Sequence, residues 1–353
     1  ETLSRCNTLY ITEVYKDFDC DTFFHAIPNE FKLTTVSNFI EDNNIYFRHI
    51  TYTKENTLKE WTNLEEESYL ECMRKIINSG IKKIDRTGVG TLSLFGEMFK
   101  YNLRDTFPAL TTRRQFLRGI FEELKFYMIG KTDNTILNDK NVTIWNGNTS
   151  RSFLDKRGLS HYPEGDMGET YGFNFRHYGA EYKTCKDDYT NKGFDQLNYA
   201  INLIKTNPTS RRIIIDIWNC STLDKAALPP CLCKYQFYVN TNKNELDLII
   251  YLRSSDFFLA NNWNVCTGAF LVHMVCNLKD IELTPGILTV ITADTHLYLN
   301  HLDQVNLNLE RRPKPFPKLI IKEKKERLED FEFTDMTFLG YNPDKSISAN
   351  MAV

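Results

Sequence analysis

Residues 226–234 read "AALPPCLCK", set between two strongly apolar runs, "RRIIIDIW" at 211–218 and "YQFYV" at 235–239. Both flanks carry the β-branched and aromatic content of sheet strands. The two prolines fix a stiff, extended backbone between them, so Cys231 is presented in one orientation. A thiol held that rigidly is a nucleophile, a metal ligand or core filler, and this stretch alone leaves all three open.

Outward from it, further strands are expected in "TLSLFGEMFKY" (91–101), "CKYQFYV" (233–239), "ELDLIIYLR" (245–253) and "GILTVITA" (286–293). Helices are expected over "EEESYLECMRKIINSG" (65–80), "RRQFLRGIFEELKFYMIG" (113–130) and "CTGAFLVHMVCNL" (266–278). Long helices among several apolar strands read as a mixed α/β or α+β domain, continuous over residues 56–353. Upstream, "TLYITEVY" and "IYFRHITYTK" are two strands around the loop "DFDCDTFFHAIPNEF". Two strands make no independent core, so residues 1–55 must pack on something, and "KENTLKEWTN" reads as a linker or the opening of a helix.

The chain of 353 residues is 25% charged with a formal net charge of -3, so it lacks the basic balance that polyanion binding needs; any phosphate affinity is local. Nucleic acid is not an expected partner. Nine cysteines, odd in number and irregularly spaced, argue for free thiols in a reducing compartment, which points to the cytoplasm. Cys231 and Cys233 have no CxxC partner or clustered histidine, so no metal is expected. No apolar run reaches membrane-spanning length. The start "ETLSRCNTLY" is not a signal peptide and lacks an initiator methionine, so the natural N-terminus is expected upstream. "GVGTLSLFG" does not fit the dinucleotide-binding GxGxxG.

Arg86 in "DRTGVG", Arg211 and Arg212 in "TSRRII", and Arg253 in "YLRSSD" sit where turns or strand ends point them away from a sheet. Guanidinium groups suit phosphate oxygens, and Ser254 beside one adds a donor; singly each is an ordinary surface charge. Positive charge near a thiol also raises its thiolate fraction. Glu123 falls on a helical stripe with Phe116, Ile120 and Tyr127, where a carboxylate is costly to ionise and suits proton transfer, unless it is merely satisfied by the backbone. His296 and Tyr298 share one face of an extended segment and could hold a sugar hydroxyl. Asn264 offers one donor and one acceptor to a base edge, though an asparagine in a loop usually caps a turn.

The ordered series "DRTGVGTLSLFG", "FPALTTRR", "EELKFYMIG", "IWNGNTSRSFLD", "GDMGETYGFNFRHYGAEY", "SRRIIIDIWN", "ALPPC", "RSSD", "WN", "DTHLYLNH" and terminal "MAV" resembles the thymidylate synthase family from about residue 57 onward. The upstream "LYITEVYKDFDCDTFFHAI" looks like the last strands of dihydrofolate reductase. Together they are similar to the back half of the bifunctional reductase–synthase chains of protists and some viruses. The resemblance implies an α+β fold with a large mixed sheet packed by long helices, two sheets meeting back to back in a homodimer. It implies residues 1–55 as a reductase remnant plus linker and 56–353 as the synthase domain, the rest of the reductase being a further implied partner. No reductase activity is expected, because no segment resembles its folate or NADPH sites.

The family converts dUMP and 5,10-methylenetetrahydrofolate to dTMP and dihydrofolate. Carbon 6 of uracil is a poor electrophile, so thiolate addition there, by the cysteine matching Cys231, is what makes carbon 5 nucleophilic. By the resemblance, Arg86, Arg253 and Ser254 hold the phosphate, while Arg211 and Arg212 reach in from the partner subunit. Asn264 reads the uracil edge, and His296 with Tyr298 holds the ribose. Glu123 organises water and proton transfer, and Tyr171 takes the proton from carbon 5. Asp256 anchors the pterin, Ile144, Trp145 and Leu259 pack on the folate, and Ala352 with Val353 belongs to a closing tail. The folate gives both carbon and hydride, so neither nicotinamide nor metal is implied.

Three places depart from the family pattern. Leu232 stands for the usual histidine after the nucleophile, and Leu252 for the usual glutamine before Arg253. Ala260, Asn261, Asn262 and Trp263 replace a Gly-Leu-Pro-Phe run, which is expected to reshape the folate pocket. Two rival readings follow: a pyrimidine hydroxymethylase of the same fold, which has an aspartate where Asn264 stands, and a non-catalytic dimer.

Overall fold

The computed structural model describes residues 3–54 and 60–351. Residues 8–53 form a four-stranded antiparallel sheet of β1 (Thr8–Val14), β2 (Lys32–Val36), β3 (Ile40–Asp42) and β4 (Ile45–Thr53), in which β4 is paired by all three others. The two-strand reading therefore missed β2 and β3. Both are short, and their alternation is broken by a register irregularity at β2 and by the β3–β4 turn at Asn43 and Asn44, both at positive φ. The block touches the rest of the chain, as where Asn38 Nδ2 donates to Asp105 Oδ2 at 3.2 Å.

The central sheet comprises β5 (Ile81–Lys83), β6 (Thr91–Asn102), β7 (Ile214–Asp216), β8 (Leu232–Asn240), β9 (Glu245–Asp256) and β10 (Thr284–Tyr298), in spatial order β5-β6-β10-β9-β8-β7. It is mixed: β10 runs parallel to β9, and every other pairing is antiparallel. A two-stranded ribbon, β11 (Lys318–Ile321) with β12 (Met336–Leu339), lies outside it. Alternation sets the faces. On β9, Leu246, Leu248, Ile250 and Leu252 are buried, while Ile249 and Tyr251 are exposed.

The helices are α1 (Leu64–Ser79), α2 (Leu117–Met128), α3 (Thr135–Asp139), α4 (Asn146–Thr149), α5 (Arg151–Lys156), α6 (Tyr171–Arg176), α7 (Gln196–Thr206), α8 (Asn261–Cys276) and α9 (Leu302–Leu309). Asn63 caps α1 by accepting from Glu66 N–H, with three glutamates in the first turn to favour its start. Helix α8 is apolar almost all round and is buried between the inner sheet face and α2. Each large side chain it removes from water contributes roughly 1.5–3 kcal/mol.

Two helix starts differ from expectation. Helix α2 begins at Leu117, not 113, and Phe116 is exposed rather than part of the buried stripe. The preceding backbone is tied elsewhere: Thr111 and Thr112 donate to the buried Glu66 carboxylate, and Arg113 donates to Phe258 O and Tyr69 OH. Helix α8 begins at Asn261, so residues 261–263 are its first turn and Asn264 is helical, not looped. Asn262 explains this, since its side chain donates to Pro108 O at 2.9 Å and accepts from Leu110 N–H, so tertiary partners satisfy an otherwise polar helix start.

Candidate active site

At one end of the central sheet, the start of β8, the end of β9, α8 and α2 enclose a cavity of about 500 Å³. Cys231 lines it, immediately before β8. Arg253 aims the loop: its Nε donates to Pro230 O at 2.8 Å, its Nη2 to Pro229 O at 3.0 Å, and its backbone N–H to Cys231 O at 2.9 Å. Cys231 N–H donates to Tyr171 OH at 2.8 Å. With both proline carbonyls and the cysteine amide engaged, the backbone that carries the thiol is held in place at the cavity. Arg253 Nη2 lies 4.0 Å from its sulfur and stacks over Trp218. Burial still pushes the thiol above its ordinary range, against the pull of Arg253 and Arg86. The arginines therefore do not by themselves make the free thiol a thiolate.

Arg86 reaches the cavity from the loop before β6. Asp85 shapes that loop, accepting from Thr87 N–H, Thr87 Oγ1 and Gly90 N–H. Gly88 and Gly90 have positive φ, and a Cβ on Gly90 would meet Leu299 at 3.0 Å. Ser254, Asp256, Leu259, Asn264, His296, Tyr298, Ile144 and Trp145 also line the cavity. Asn264 Nδ2 donates to Ala260 O, leaving its carbonyl oxygen and second amide hydrogen. Asp294 Oδ1 lies 3.1 Å from His296 Nδ1, and this contact, with Lys83 and Ser93, holds the Asp294 carboxyl well below its usual range. An ionised carboxylate only accepts, so His296 donates through Nδ1. Asp256 accepts from Leu259 N–H at 3.0 Å, and burial pushes its carboxyl up.

Glu123 is buried on α2 and held by three donors. Tyr127 OH and Trp145 Nε1 reach Oε1 at 2.7 Å each, and Trp263 Nε1 reaches Oε2 at 2.6 Å. Burial raises its carboxyl and these donors oppose the rise. Tyr171 stacks on Tyr127 with centroids 4.8 Å apart, and burial holds its phenol well above the ordinary tyrosine range.

Arg211 and Arg212 are exposed and do not line their own chain's cavity. Ala352 and Val353 lie outside the described residues, while Met351 lines the cavity. Asn148 was missed although "IWNGN" contains it; it is buried, lines the cavity, and its Nδ2 has no partner. Tyr235 was not read as a site residue, because a strand tyrosine carries no local signal, and Trp263 was read only as part of the run expected to reshape the folate pocket. Leu232 and Leu252 are cross-strand partners, both buried, so the two departures form one apolar pair. Among the described residues no acidic, histidine and cysteine group could hold a metal, and no helix is long and apolar enough to cross a membrane.

A family model described as thymidylate synthase matches residues 67–353. The chain belongs to the thymidylate synthase family. It is similar to human thymidylate synthase, 44% identical over 288 residues, covering 82% of this chain and 91% of that one. Against thymidylate synthase of Saccharomyces cerevisiae it is 44% identical, covering 82% of this chain and 98% of the relative. A bifunctional dihydrofolate reductase-thymidylate synthase of Leishmania major is 40% identical over 99% of this chain, which spans 67% of that relative's length. The mixed α+β architecture is that of a thymidylate synthase family member, with α2, α8 and the ends of β8 and β9 framing the cavity.

Proposed function

We infer that the chain methylates dUMP to dTMP, taking carbon and hydride from 5,10-methylenetetrahydrofolate through a covalent Cys231 adduct at uracil carbon 6. The observation that carries this is the thiol, aimed by Arg253 and Tyr171 into a cavity that also holds Glu123 and Asn264. Arg86, Arg253 and Ser254 take the phosphate, Asn264 the uracil edge, and His296 with Tyr298 the ribose. Ile144, Trp145, Leu259 and Asp256 take the folate, and the unpartnered Asn148 amide is a further donor for it. Glu123 directs proton movement. Tyr171, a phenol kept protonated by burial, accepts the carbon 5 proton only as it passes its own onward. The reaction so written requires no metal and no nicotinamide.

The active form is a homodimer with Arg211 and Arg212 donated across the interface. The outer sheet face supports this: Met98, Ile291 and Tyr251 stand side by side across three strands, flanked by exposed Phe95, Tyr238 and Ile249. Residues 1–55 are the remnant of a reductase domain, and the chain as it stands does not oxidise NADPH with dihydrofolate. Its free cysteines suit the cytoplasm.

The test is a mass spectrum after incubation with 5-fluoro-dUMP and methylenetetrahydrofolate. A ternary covalent adduct, lost in Cys231→Ala, is expected. Its absence from dimeric wild-type protein would put the non-catalytic reading first, and hydroxymethyl-dCMP as product would favour the hydroxymethylase.

A further inference from the structure

Helix α8 presents Trp263 in its first turn, where Asn262 beside it is pinned to Pro108 O and Leu110 N–H. The backbone direction of that turn is thus fixed before any ligand binds. From it the indole reaches Glu123 on α2, with Nε1 2.6 Å from Oε2. Oxygen Oε1 already has two donors, Tyr127 OH and Trp145 Nε1, whereas Trp263 is the one protein donor found on Oε2 among the described residues. Leu232, which also lines the cavity, is backed by Leu252 and offers no hydrogen bond. A carboxylate with one oxygen unheld can rotate about its terminal bond, and in an apolar surround it has little else to bind.

We propose that Trp263 is a positioning residue which, through its indole N–H, fixes the plane of the Glu123 carboxylate and favours its charged form for proton transfer. This rests on reading the chain as a thymidylate synthase. The titratable groups facing Glu123 are Tyr127 on its own helix, Tyr171 on α6 and Tyr235 on β8, all raised by burial. None of them changes charge where a carboxylate titrates. Loss of the Trp263 donor therefore acts on Glu123 directly, moving its already raised carboxyl further up.

The test compares wild type with Trp263→Phe and with a chain carrying benzothienylalanine at position 263, which keeps the indole shape and replaces N–H by sulfur. Expected in the benzothienylalanine protein is a fall in kcat on the order of 10- to 100-fold, with KM for dUMP within about twofold; Trp263→Phe, which restores the residue the family usually carries there, is expected to lose less. The acidic limb of the kcat profile moves to higher pH, because the carboxylate form appears later. Infrared difference spectra, assigned with Glu123→Gln, follow the same ionisation in protein without substrate. They apply even if the wild type makes no dTMP, an outcome that sinks the proposed function but not the contact. An unchanged carboxyl titration in the benzothienylalanine protein would overturn the proposal, whatever happened to kcat.

Discussion

Glu66 offers the sharpest stability prediction. Its carboxylate is fully buried beneath the segment leading to α2 and accepts from both N–H groups and both hydroxyls of Thr111 and Thr112, at 2.6 to 3.0 Å. Glu66→Ala strands those donors. Thr111 Oγ1 keeps other company, since Lys314 N–H donates to it at 2.7 Å, and hydroxyls can rotate. The two backbone N–H groups cannot, and each buried donor without a partner costs about 1–3 kcal/mol. Allowing for partial entry of water, the net loss is about 2–4 kcal/mol, or roughly 3–7 °C in Tm for a domain of this size. Gln in place of Glu rescues little, because an amide NH₂ would face N–H groups. Scanning calorimetry at fixed protein concentration checks this, because self-association would make Tm depend on concentration. A drop below about 2 °C would refute the claim that this carboxylate organises the approach to α2.

Two further outcomes follow. Alkylation of Cys231 by iodoacetamide in the ligand-free protein is expected to keep accelerating above the ordinary thiol range, because burial raises the thiol; Arg86→Ala, which removes part of the opposing pull, moves the rate curve to still higher pH. A curve centred at or below the ordinary thiol value contradicts this. Mixing inactive Cys231→Ala chains with inactive Arg211→Ala/Arg212→Ala chains, under conditions that exchange subunits, is expected to restore about a quarter of wild-type activity. Half the dimers are then mixed, and each has one intact site. No recovery would remove the arginines from the neighbouring site.

The sheet was largely legible because its strands bury one face. "CKYQFYV" and "ELDLIIYLR" alternate as β8 and β9 do, and the apolar α8 and the striped α1 announced themselves. The misses are places where distant partners decide. Nothing in "RRQF" delays a helix; the ties of residues 111–113 to Glu66 and Phe258 do. Nothing in "NNWN" starts one; Pro108 and Leu110 do. Strand β10 runs on through "DTHLY" because β9 pairs with it as far as His296 and β6 as far as Tyr298, which is what sets these two residues at the cavity. Site residues were readable where a motif fixes chemistry to spacing, as at Cys231 and Arg253. Trp263 and Asn148 acquire meaning only from what they face.

Arg253 also bears on the proposed homodimer. Its Nε and one hydrogen of Nη2 are committed to the proline carbonyls that aim Cys231, which leaves both hydrogens of Nη1 and the second of Nη2 for an anion. That edge of the guanidinium can still take a phosphate in a bidentate contact, so one residue both positions the nucleophile and offers an anion site. Arg86 adds one exposed cation from the loop before β6. A nucleotide monophosphate carries a charge near -2, and the exposed Arg211 and Arg212 do not line their own chain's cavity. In the proposed homodimer, with a second copy docked on the apolar outer face of the sheet, those two arginines would complete the neighbouring phosphate site and the exposed side chains would be covered.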